Sequence, residues 1–227
     1  MPIVVTGLSH HSSPVEMRER FSFSNTQVAD ALSQVCQRGI ADEAVILSTC
    51  NRVEIYAATR ESNPVLGQAL EQFLCDFHGI APAPAHALYT HLEPQSVDHL
   101  FRVSCGIDSM VLGETEILGQ LKQAYRLAHA EKATAAQLNK TFQKAFNVAK
   151  LVRSETQIQR GSISVSSVAV ELAESIFDSL KSQQVLVIGA GDTSEKAARA
   201  LRSRGAQSIL VSNRSHDKAT ALAAELG

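Results

Sequence analysis

A short apolar strand that runs directly into a glycine-rich turn is the feature that most constrains the fold of this chain. Val185 to Ile188 is a hydrophobic run, a glycine turn follows it at once, and a helical pattern begins there. In dinucleotide-binding folds such a turn lets a pyrophosphate approach backbone N–H groups at a helix N-terminus. The predicted cofactor-binding residues of this turn are Gly189, Ala190, Gly191, Asp192, Thr193 and Ser194, the last standing where the third glycine of GxGxxG would be.

The residues after the next predicted strand indicate which dinucleotide is bound. The strand Ile209 to Ser212 is followed by Asn213 and Arg214, where NAD-binding folds usually carry an acidic residue for the ribose 2′-hydroxyl. An arginine there accommodates the 2′-phosphate of NADP instead. We therefore predict NADPH as the cofactor, with Asn213 and Arg214 among its ligands. A solvated arginine in a strand-end loop is the alternative.

The same region predicts the domain organisation. From Gln184 the chain supplies strand, helix, strand and helix before Gly227, whereas a doubly wound fold needs two βαβαβ halves. We expect an incomplete Rossmann-type NADP-binding domain over 158–227 and a catalytic domain over 1–157. The polar stretch 155–162 is the expected boundary.

Composition excludes several classes of protein. The chain has 227 residues, 44% of them hydrophobic, which excludes a disordered chain. Its formal net charge of −2 means that any nucleic-acid contact must come from a local patch. No apolar run approaches the roughly 20 residues that span a bilayer, and the start lacks the basic region of a signal peptide. A cytoplasmic protein without membrane contact is the expectation.

The first ninety residues predict a ferredoxin-like βαββαβ sandwich in this α/β chain. The strands are expected at Ile3 to Leu8, Ala44 to Ser48, Val53 to Thr59 and Ala87 to Leu92. One helix begins after Ser24, which has capping-box spacing to Gln27, and a second is opened by Pro64.

A helical subdomain is expected after Pro94. It comprises a short helix that Gly106 interrupts and two longer helices, near Glu114 to Ala130 and Ala135 to Ser154. A further helix is predicted from about Ser164 to Leu180, ahead of the glycine turn.

The four cysteines differ in their predicted surroundings. No CxxC pair is present, so their spacing indicates neither a metal site nor a disulfide framework. Cys36 and Cys75 fall on apolar helix faces and Cys105 ends a helix, which favours core packing. Cys50 lies in a polar turn between two strands, with Arg52 two residues away. A cysteine there is able to capture an acyl group as a thioester, which a hydride donor can reduce, but spacing alone leaves a non-catalytic role equally open.

Three further segments accompany this turn. They are Gly7-Leu8-Ser9-His10-His11, Gly106-Ile107-Asp108-Ser109-Met110-Val111-Leu112-Gly113-Glu114, and Ile117-Leu118-Gly119-Gln120. Together with the Cys50 turn and the glycine turn, they resemble glutamyl-tRNA reductases in the family's order over the whole chain. The resemblance implies NADPH-dependent reduction of glutamyl-tRNA(Glu) to glutamate-1-semialdehyde, the first step of the five-carbon route to tetrapyrroles such as haem.

The resemblance also assigns roles to residues. It implies that Cys50 is the nucleophile and that His99 assists catalysis, with His10 and His11 as rival histidines. Arg52 is the expected clamp for the glutamate side-chain carboxylate. The other substrate-binding residues implied are Thr49, Asn51, Ser109, Glu114, Thr115, Glu116 and Gln120. Ordinary helix capping is the alternative for Ser109 and Glu114.

The expected partners follow from the same resemblance. Residues 114–160 hold eight basic and four acidic side chains, a local excess that could face tRNA phosphates or simply solvent. The resemblance favours tRNA and adds glutamate-1-semialdehyde aminomutase as a partner. The resemblance also implies homodimers through a C-terminal domain, and we expect this domain, and a dimer through it, to be absent here.

Two other functions remain open from the sequence. One is a small-molecule NADP dehydrogenase, which needs no thiol. The other is a non-reducing fragment that only binds or hydrolyses glutamyl-tRNA.

Overall fold

The computed structural model describes residues 2–60, 64–81, 86–158 and 164–226. The chain divides into two compact units, Met1–Ile158 and Gln159–Gly227, and each is described by itself. The polar stretch 155–162 that we predict as the domain boundary lies partly outside the described residues.

A four-stranded antiparallel sheet forms the centre of the first unit. Its strands are β1 (Ile3–Ser9), β2 (Glu43–Ser48), β3 (Arg52–Ala58) and β4 (Tyr89–His91). Their spatial order is β2-β3-β1-β4, and every neighbouring pair is antiparallel. This order, with the βαββαβ succession along the chain, is the predicted ferredoxin-like arrangement.

Three helices accompany the strands. They are α1 (Val15–Arg20), α2 (Asn25–Gln37) and α3 (Leu66–His78). The predicted capping box is present, because the Ser24 side chain accepts from the Gln27 backbone N–H and the Gln27 side chain accepts from the Ser24 N–H. The short helix α1 was not predicted.

The helical subdomain consists of α4 (Gln95–Cys105), α5 (Glu116–Ala130) and α6 (Ala136–Glu155). The apolar face of α6 buries Leu138, Phe142 and Ala145 in the core that the sheet shares with the helices. The α6 N-terminus is held from β2, since the buried Glu43 carboxylate accepts from the backbone N–H groups of Ala135, Gln137 and Leu138. This packing fixes the helical subdomain against the sheet.

Gly7 allows the two central strands to approach closely. It pairs with Glu54, and a Cβ at position 7 would lie 2.1 Å from the Val53 carbonyl oxygen and 2.8 Å from the Glu54 Cα. No side chain fits there without moving β3, so a glycine is required beside the segment that carries Arg52 and Glu54.

The second unit contains α7 (Val165–Ile176), β5 (Gln184–Ile188), α8 (Asp192–Ser203), β6 (Ser208–Ser212) and α9 (His216–Leu226). The strands β5 and β6 are parallel. The predicted helix to Leu180 is too long: Phe177 is extended, and the Ser179 side chain accepts from the Lys181 N–H to cap a separate 3₁₀ turn, Leu180–Ser182. Alternate strand residues Val185, Val187 and Ile209 pack with α8 and α9.

Two negative findings apply to the described parts of the chain. No helix there has the length and apolar character needed to cross a membrane. No group of three or more histidine, cysteine, aspartate or glutamate side chains there is arranged to hold a metal ion.

Candidate active site

The turn between β2 and β3 presents Cys50 to solvent. Thr49 shapes this turn, because its Oγ1 accepts from the backbone N–H groups of Asn51 at 3.2 Å and Arg52 at 3.1 Å. Cys50 is the exposed cysteine of the four, whereas Cys75 and Cys105 are buried. A cleft of about 260 Å³ opens beside it, lined by Arg18, Glu19, Ser22, Phe23, Ser48, Thr49 and Cys50.

Arg52 points from the same turn into the protein interior and is only 1% exposed. Its Nη1 donates to Glu54 Oε1 at 2.7 Å, and its Nη2 donates to Asp108 Oδ2 at 3.0 Å and to the Asp108 carbonyl. Both terminal nitrogens therefore have acceptors within the protein. A substrate carboxylate would have to displace Asp108 or share the guanidinium with it, and the clamp role stays a prediction.

Glu54 is the centre of a buried hydrogen-bond network. Besides Arg52, its carboxylate accepts from the hydroxyls of Tyr56 and Tyr89 and from His99 Nε2, which lies 2.8 Å from Oε1. The side chain has no exposed surface. Four donors on one carboxylate account for a buried charge that would otherwise be very costly.

The network shifts the ionisation of its members. Burial alone would raise the pKa of Glu54, but the Arg52 charge and the hydrogen bonds from His99 and Tyr56 lower that pKa well below its ordinary range. Burial and the Glu54 charge raise the pKa values of Tyr56 and Tyr89, so both remain protonated donors. Glu54 is thus an ionised carboxylate, which can only accept hydrogen bonds.

His99 is therefore fixed through one ring nitrogen. Because Glu54 only accepts, the hydrogen between them belongs to His99 Nε2, which leaves the lone pair of the neutral ring on Nδ1. Edge-strand side chains surround the ring: its centroid lies 5.1 Å from that of His91 and 5.7 Å from that of Tyr89.

His10 and His11, the two alternative catalytic histidines, contact Asn51 and Asp108. The His10 backbone N–H donates to the Asn51 carbonyl at 2.9 Å, and His11 Nε2 lies 3.8 Å from Asp108 Oδ1. Burial, followed by the charges of His11 and Arg52, lowers the pKa of His10. His10 and His11 thus border the Cys50 turn, while His99 reaches it through Glu54 and Arg52.

The segment before α5 is joined to the same site. Asp108 binds Arg52, and the neighbouring Ser109 hydroxyl donates to Glu114 Oε1 at 3.2 Å. The Glu114 carboxylate also accepts from the backbone N–H groups of Glu116 and Ile117, so it caps the N-terminus of α5. The capping alternative for Glu114 is observed, and substrate contact by Ser109 and Glu114 stays a prediction.

The remaining predicted substrate ligands lie on α5 or at its start. Thr115 and Glu116 are exposed. Gln120 lines a separate pocket with Asn25 and Gln123. Phe23 and Ser48 border both this pocket and the Cys50 cleft, so the two are neighbours.

The sequence analysis does not predict several residues of the Glu54 network. Glu54 had a readable signal, because charged residues at positions 52 and 54 of an otherwise apolar strand share one face of the sheet. Tyr89 and Asp108 lie 35 and 56 residues from their partners, and no local pattern indicates such contacts.

The basic residues predicted to face tRNA are largely exposed. Lys132, Lys140, Lys144 and Lys150 are solvent-accessible, as is Arg126. Arg153 is half-buried, and its Nη2 donates to the Glu114 carbonyl at 3.2 Å. Lys122 lies over the Phe146 ring, and Arg160 lies outside the described residues.

In the second unit, the glycine turn has room for a phosphate group. Gly189 has a φ of +102°, which strongly favours glycine, and a Cβ at Gly191 would meet nothing within 4 Å. Asn213 ties the turn to the end of β6, because its Oδ1 accepts from the Ala190 N–H at 3.3 Å. Asp192, Thr193 and Arg214 are exposed, while Ser194 is half-buried.

These residues fit a dinucleotide. Open space at Gly191, the N-terminus of the twelve-residue helix α8 and an exposed arginine after β6 are what a pyrophosphate and a ribose phosphate need. Gly189 to Ser194 would hold the pyrophosphate, and Arg214 would face the 2′-phosphate.

Fold and site together define an α/β protein with an exposed cysteine next to a buried ionic network and with a separate glycine turn ahead of a helix. The family model described as "Glutamyl-tRNAGlu reductase, N-terminal domain" matches residues 6–156, and the chain belongs to this family. A second model, "Shikimate / quinate 5-dehydrogenase", matches residues 171–227.

Individual relatives agree with this assignment. The glutamyl-tRNA reductase of Akkermansia muciniphila is 46% identical over 227 residues, which is 100% of this chain and 66% of that protein. That of Pelotomaculum thermopropionicum is 46% identical over 224 residues, 98% of this chain and 50% of that protein. This chain thus spans about half to two thirds of its curated relatives.

A solved structure gives the same result. "Glutamyl-tRNA Reductase from Methanopyrus kandleri" superposes with a TM-score of 0.65 at 34% identity and covers 99% of this chain and 52% of that chain. The resemblance seen in the sequence is confirmed.

Proposed function

We propose that this chain forms a glutamyl thioester on Cys50 from glutamyl-tRNA(Glu) and serves NADPH-dependent reduction to glutamate-1-semialdehyde in tetrapyrrole synthesis. The observation that carries the proposal is the exposed Cys50 thiol, which lies two residues from Arg52 of the network that also holds His99. The family and its relatives support the substrate, since their names state glutamyl-tRNA.

The proposed first step is acyl transfer. Cys50 Sγ attacks the ester carbonyl carbon, the bond from that carbon to the terminal ribose oxygen breaks, and the tRNA hydroxyl leaves with a proton. The glutamyl group remains as a thioester on Sγ. Thr49 and Asn51 flank the reacting sulfur, and Arg52 is the proposed carboxylate clamp once Asp108 yields its place.

His99 is suited to proton transfer in this step. Glu54 holds the ring through Nε2, so Nδ1 is the ring nitrogen that we propose takes the thiol proton and passes it to the departing ribose oxygen. Glu54 thereby acts on the reaction through His99 and Arg52. It is a positioning residue in this proposal.

The second unit is proposed to bind the reductant. When bound, NADPH supplies the hydride that converts the thioester to an aldehyde and releases the Cys50 thiol. Gly189 to Ser194 and Arg214 are the proposed ligands, and Asn213 holds the turn in shape. A Rossmann-type NADP-binding role for residues 158–227 is part of the same proposal.

The proposal also includes two partners, tRNA and an aminomutase, and a location in the cytoplasm. The exposed lysines of α6 suit contact with tRNA phosphates. Glutamate-1-semialdehyde aminomutase is the proposed recipient of the reactive aldehyde. Four free cysteines are compatible with a reducing cytoplasm.

Glutamyl-tRNA labelled in the glutamate tests the acyl-transfer step. We expect covalent label on the wild-type chain and on Cys36→Ser, a matched control at a partly accessible thiol. Cys50→Ala should remain unlabelled. Absence of label from the wild-type chain would refute the proposal.

Addition of NADPH to the labelled protein tests the reduction. Aldehyde release supports the complete reaction, whereas slow release of free glutamate supports the non-reducing alternative. A small-molecule dehydrogenase would show neither label nor aldehyde in this assay.

A further inference from the structure

Arg18 lies beneath the Cys50 turn, on the short helix α1. Its Nε donates to the Cys50 carbonyl oxygen at 3.1 Å, and its Nη1 donates to the Ser13 carbonyl oxygen at 2.6 Å. The residue is 9% exposed and also lines the cleft beside Cys50. A single planar guanidinium therefore connects α1, the loop after β1 and the turn that carries the thiol.

The surroundings of the Arg18 charge differ from those of the Arg52 charge. Within the described ranges of the chain, no aspartate or glutamate oxygen lies within salt-bridge distance of it, whereas Arg52 has both Glu54 and Asp108. Burying a cation without a counter-charge costs free energy, and backbone carbonyls offset only part of that cost. Arg18 therefore holds two backbone carbonyls at a desolvation cost that no carboxylate in the described residues offsets.

The two carbonyl groups that accept from Arg18, those of Ser13 and Cys50, belong to the loop after β1 and to the turn that carries the thiol. The Ser13 side chain fastens the loop after β1 to the Ala87 carbonyl at 2.9 Å, and the His10 N–H binds the Asn51 carbonyl. Arg18 thus holds the backbone of Cys50 through its carbonyl, while the Thr49 hydroxyl holds the N–H groups of the next two residues, Asn51 and Arg52. Nothing else in the described chain hydrogen-bonds the Cys50 carbonyl.

We infer that Arg18 is a positioning residue that fixes the Cys50 backbone, and with it the attacking sulfur, for acyl transfer. The inference rests on the proposed function of Cys50. A displacement of about 1 Å at a nucleophile can cost about 100-fold in rate, and a loop held by one fewer bond permits such displacements. Substrate affinity depends on other residues and should change little.

Two substitutions of Arg18 distinguish the effect of losing its hydrogen-bond donors from the effect of losing its packing. Arg18→Met keeps most of the side-chain volume and removes every donor, and Arg18→Lys keeps the charge but provides a point donor in place of a fork. Arg20 lies on the same helix and is exposed, so Arg20→Met is the matched control. Circular dichroism and thermal unfolding establish that each variant is folded.

Single-turnover labelling of Cys50 with glutamyl-tRNA gives the kinetic test. We expect the rate at saturating substrate to fall about 10- to 100-fold in Arg18→Met and at least about fivefold in Arg18→Lys. The half-saturating concentration should change less than about threefold, and Arg20→Met should match the wild-type chain. A saturating rate within twofold of wild type in Arg18→Met, or a loss confined to half-saturation, overturns the inference. If Arg18→Met does not fold, a wild-type rate in Arg18→Lys overturns it.

Amide hydrogen exchange gives a readout that does not need activity. Arg18→Lys should raise exchange in residues 9–14 and 48–52 and leave the strands β5 and β6 unchanged. Unchanged exchange in both segments overturns the inference even if the rate falls. A wild-type chain that takes no glutamyl label refutes the proposed function instead, and the exchange result then stands on its own.

Discussion

Glu54 Oε1 lies 2.8 Å from His99 Nε2, in a part of the first unit where Glu54 has no exposed surface. The two residues are 45 positions apart in the chain and are brought together by the packing of α4 on the sheet. Since Arg52 donates to the same oxygen atom, the Cys50 turn, β3 and α4 share one carboxylate. The ionisation and hydrogen bonding of the Glu54 carboxylate therefore affect both the stability of the unit and the geometry of its site.

Substitution of Glu54 by glutamine should lower the free energy of unfolding at neutral pH. It should also make that free energy less dependent on pH in the acid range. The amide leaves Arg52 with Asp108 as its remaining carboxylate partner and directs its own N–H group at donors, which should lower the free energy of unfolding by about 3 kcal/mol. The pKa of Glu54 is lowered in the folded chain, whereas in the unfolded chain it is ordinary, about 4.3. Its contribution is therefore complete above about pH 5 and is lost as the pH falls below that value.

Urea unfolding between pH 7 and pH 3 measures this effect. The wild-type chain should lose stability more steeply below about pH 5 than Glu54→Gln. Glu16→Gln, which changes an exposed glutamate of α1, should keep the wild-type slope. Equal slopes for wild type and Glu54→Gln would show that Glu54 does not couple folding to protons.

The same contact predicts the tautomer of His99. Because Glu54 is ionised and only accepts, neutral His99 should carry its hydrogen on Nε2. Histidine labelled with ¹⁵N, observed by NMR near pH 8.5, should show a protonated Nε2 and a lone-pair Nδ1, with the signal assigned by its absence from His99→Gln. A signal from the Nδ1–H form would contradict the proposed proton-accepting atom.

Local patterns predicted much of this fold. Short apolar and β-branched runs predict the strands, and the Ser24–Gln27 spacing predicts the start of α2. The helix α1 escaped prediction because six residues are too few to show a 3.6-residue period. The buried position of Arg18 on this helix is not predictable from the local sequence either, because it depends on carbonyl groups of other segments.

The candidate site was predictable only in part. A cysteine in a polar turn can be read from the sequence, and the turn does expose Cys50. The pairing of Arg52 with Asp108 joins residues 56 positions apart, so the sequence did not show that the expected carboxylate clamp already holds a carboxylate. Glu114 illustrates the opposite case, because an acidic residue ahead of a helix is the ordinary signature of the cap that is observed.

Removal of the Tyr89 hydroxyl should cost more than removal of a comparable hydroxyl elsewhere. Tyr89 donates to the Glu54 carboxylate, whereas Tyr125 donates to the neutral side-chain oxygen of Asn139 at 3.0 Å. Bonds to charged groups contribute about 1.5–3 kcal/mol, and neutral ones about 0.5–1.5 kcal/mol. Denaturant unfolding of Tyr89→Phe and Tyr125→Phe should show this difference, and equal losses would argue against a charged acceptor at Glu54.

Asn213 and Arg214 should affect nucleotide binding in different ways. The Asn213 side chain accepts from the Ala190 N–H and thereby holds the shape of the turn, so Asn213→Ala should weaken the binding of NADPH and NADH by the same factor. The exposed Arg214 has no hydrogen-bond or ion-pair partner among the described residues and is free to meet a 2′-phosphate, which only NADPH carries. Arg214→Ala should therefore weaken the binding of NADPH by about tenfold or more, the size of one charge-assisted bond, and leave the binding of NADH unchanged.

Calorimetric titration of both nucleotides measures the two factors, with Arg204→Ala as a control at another exposed arginine of the unit. Equal losses for NADPH and NADH in Arg214→Ala would remove this residue from the 2′-phosphate site and, with it, the reason to prefer NADPH.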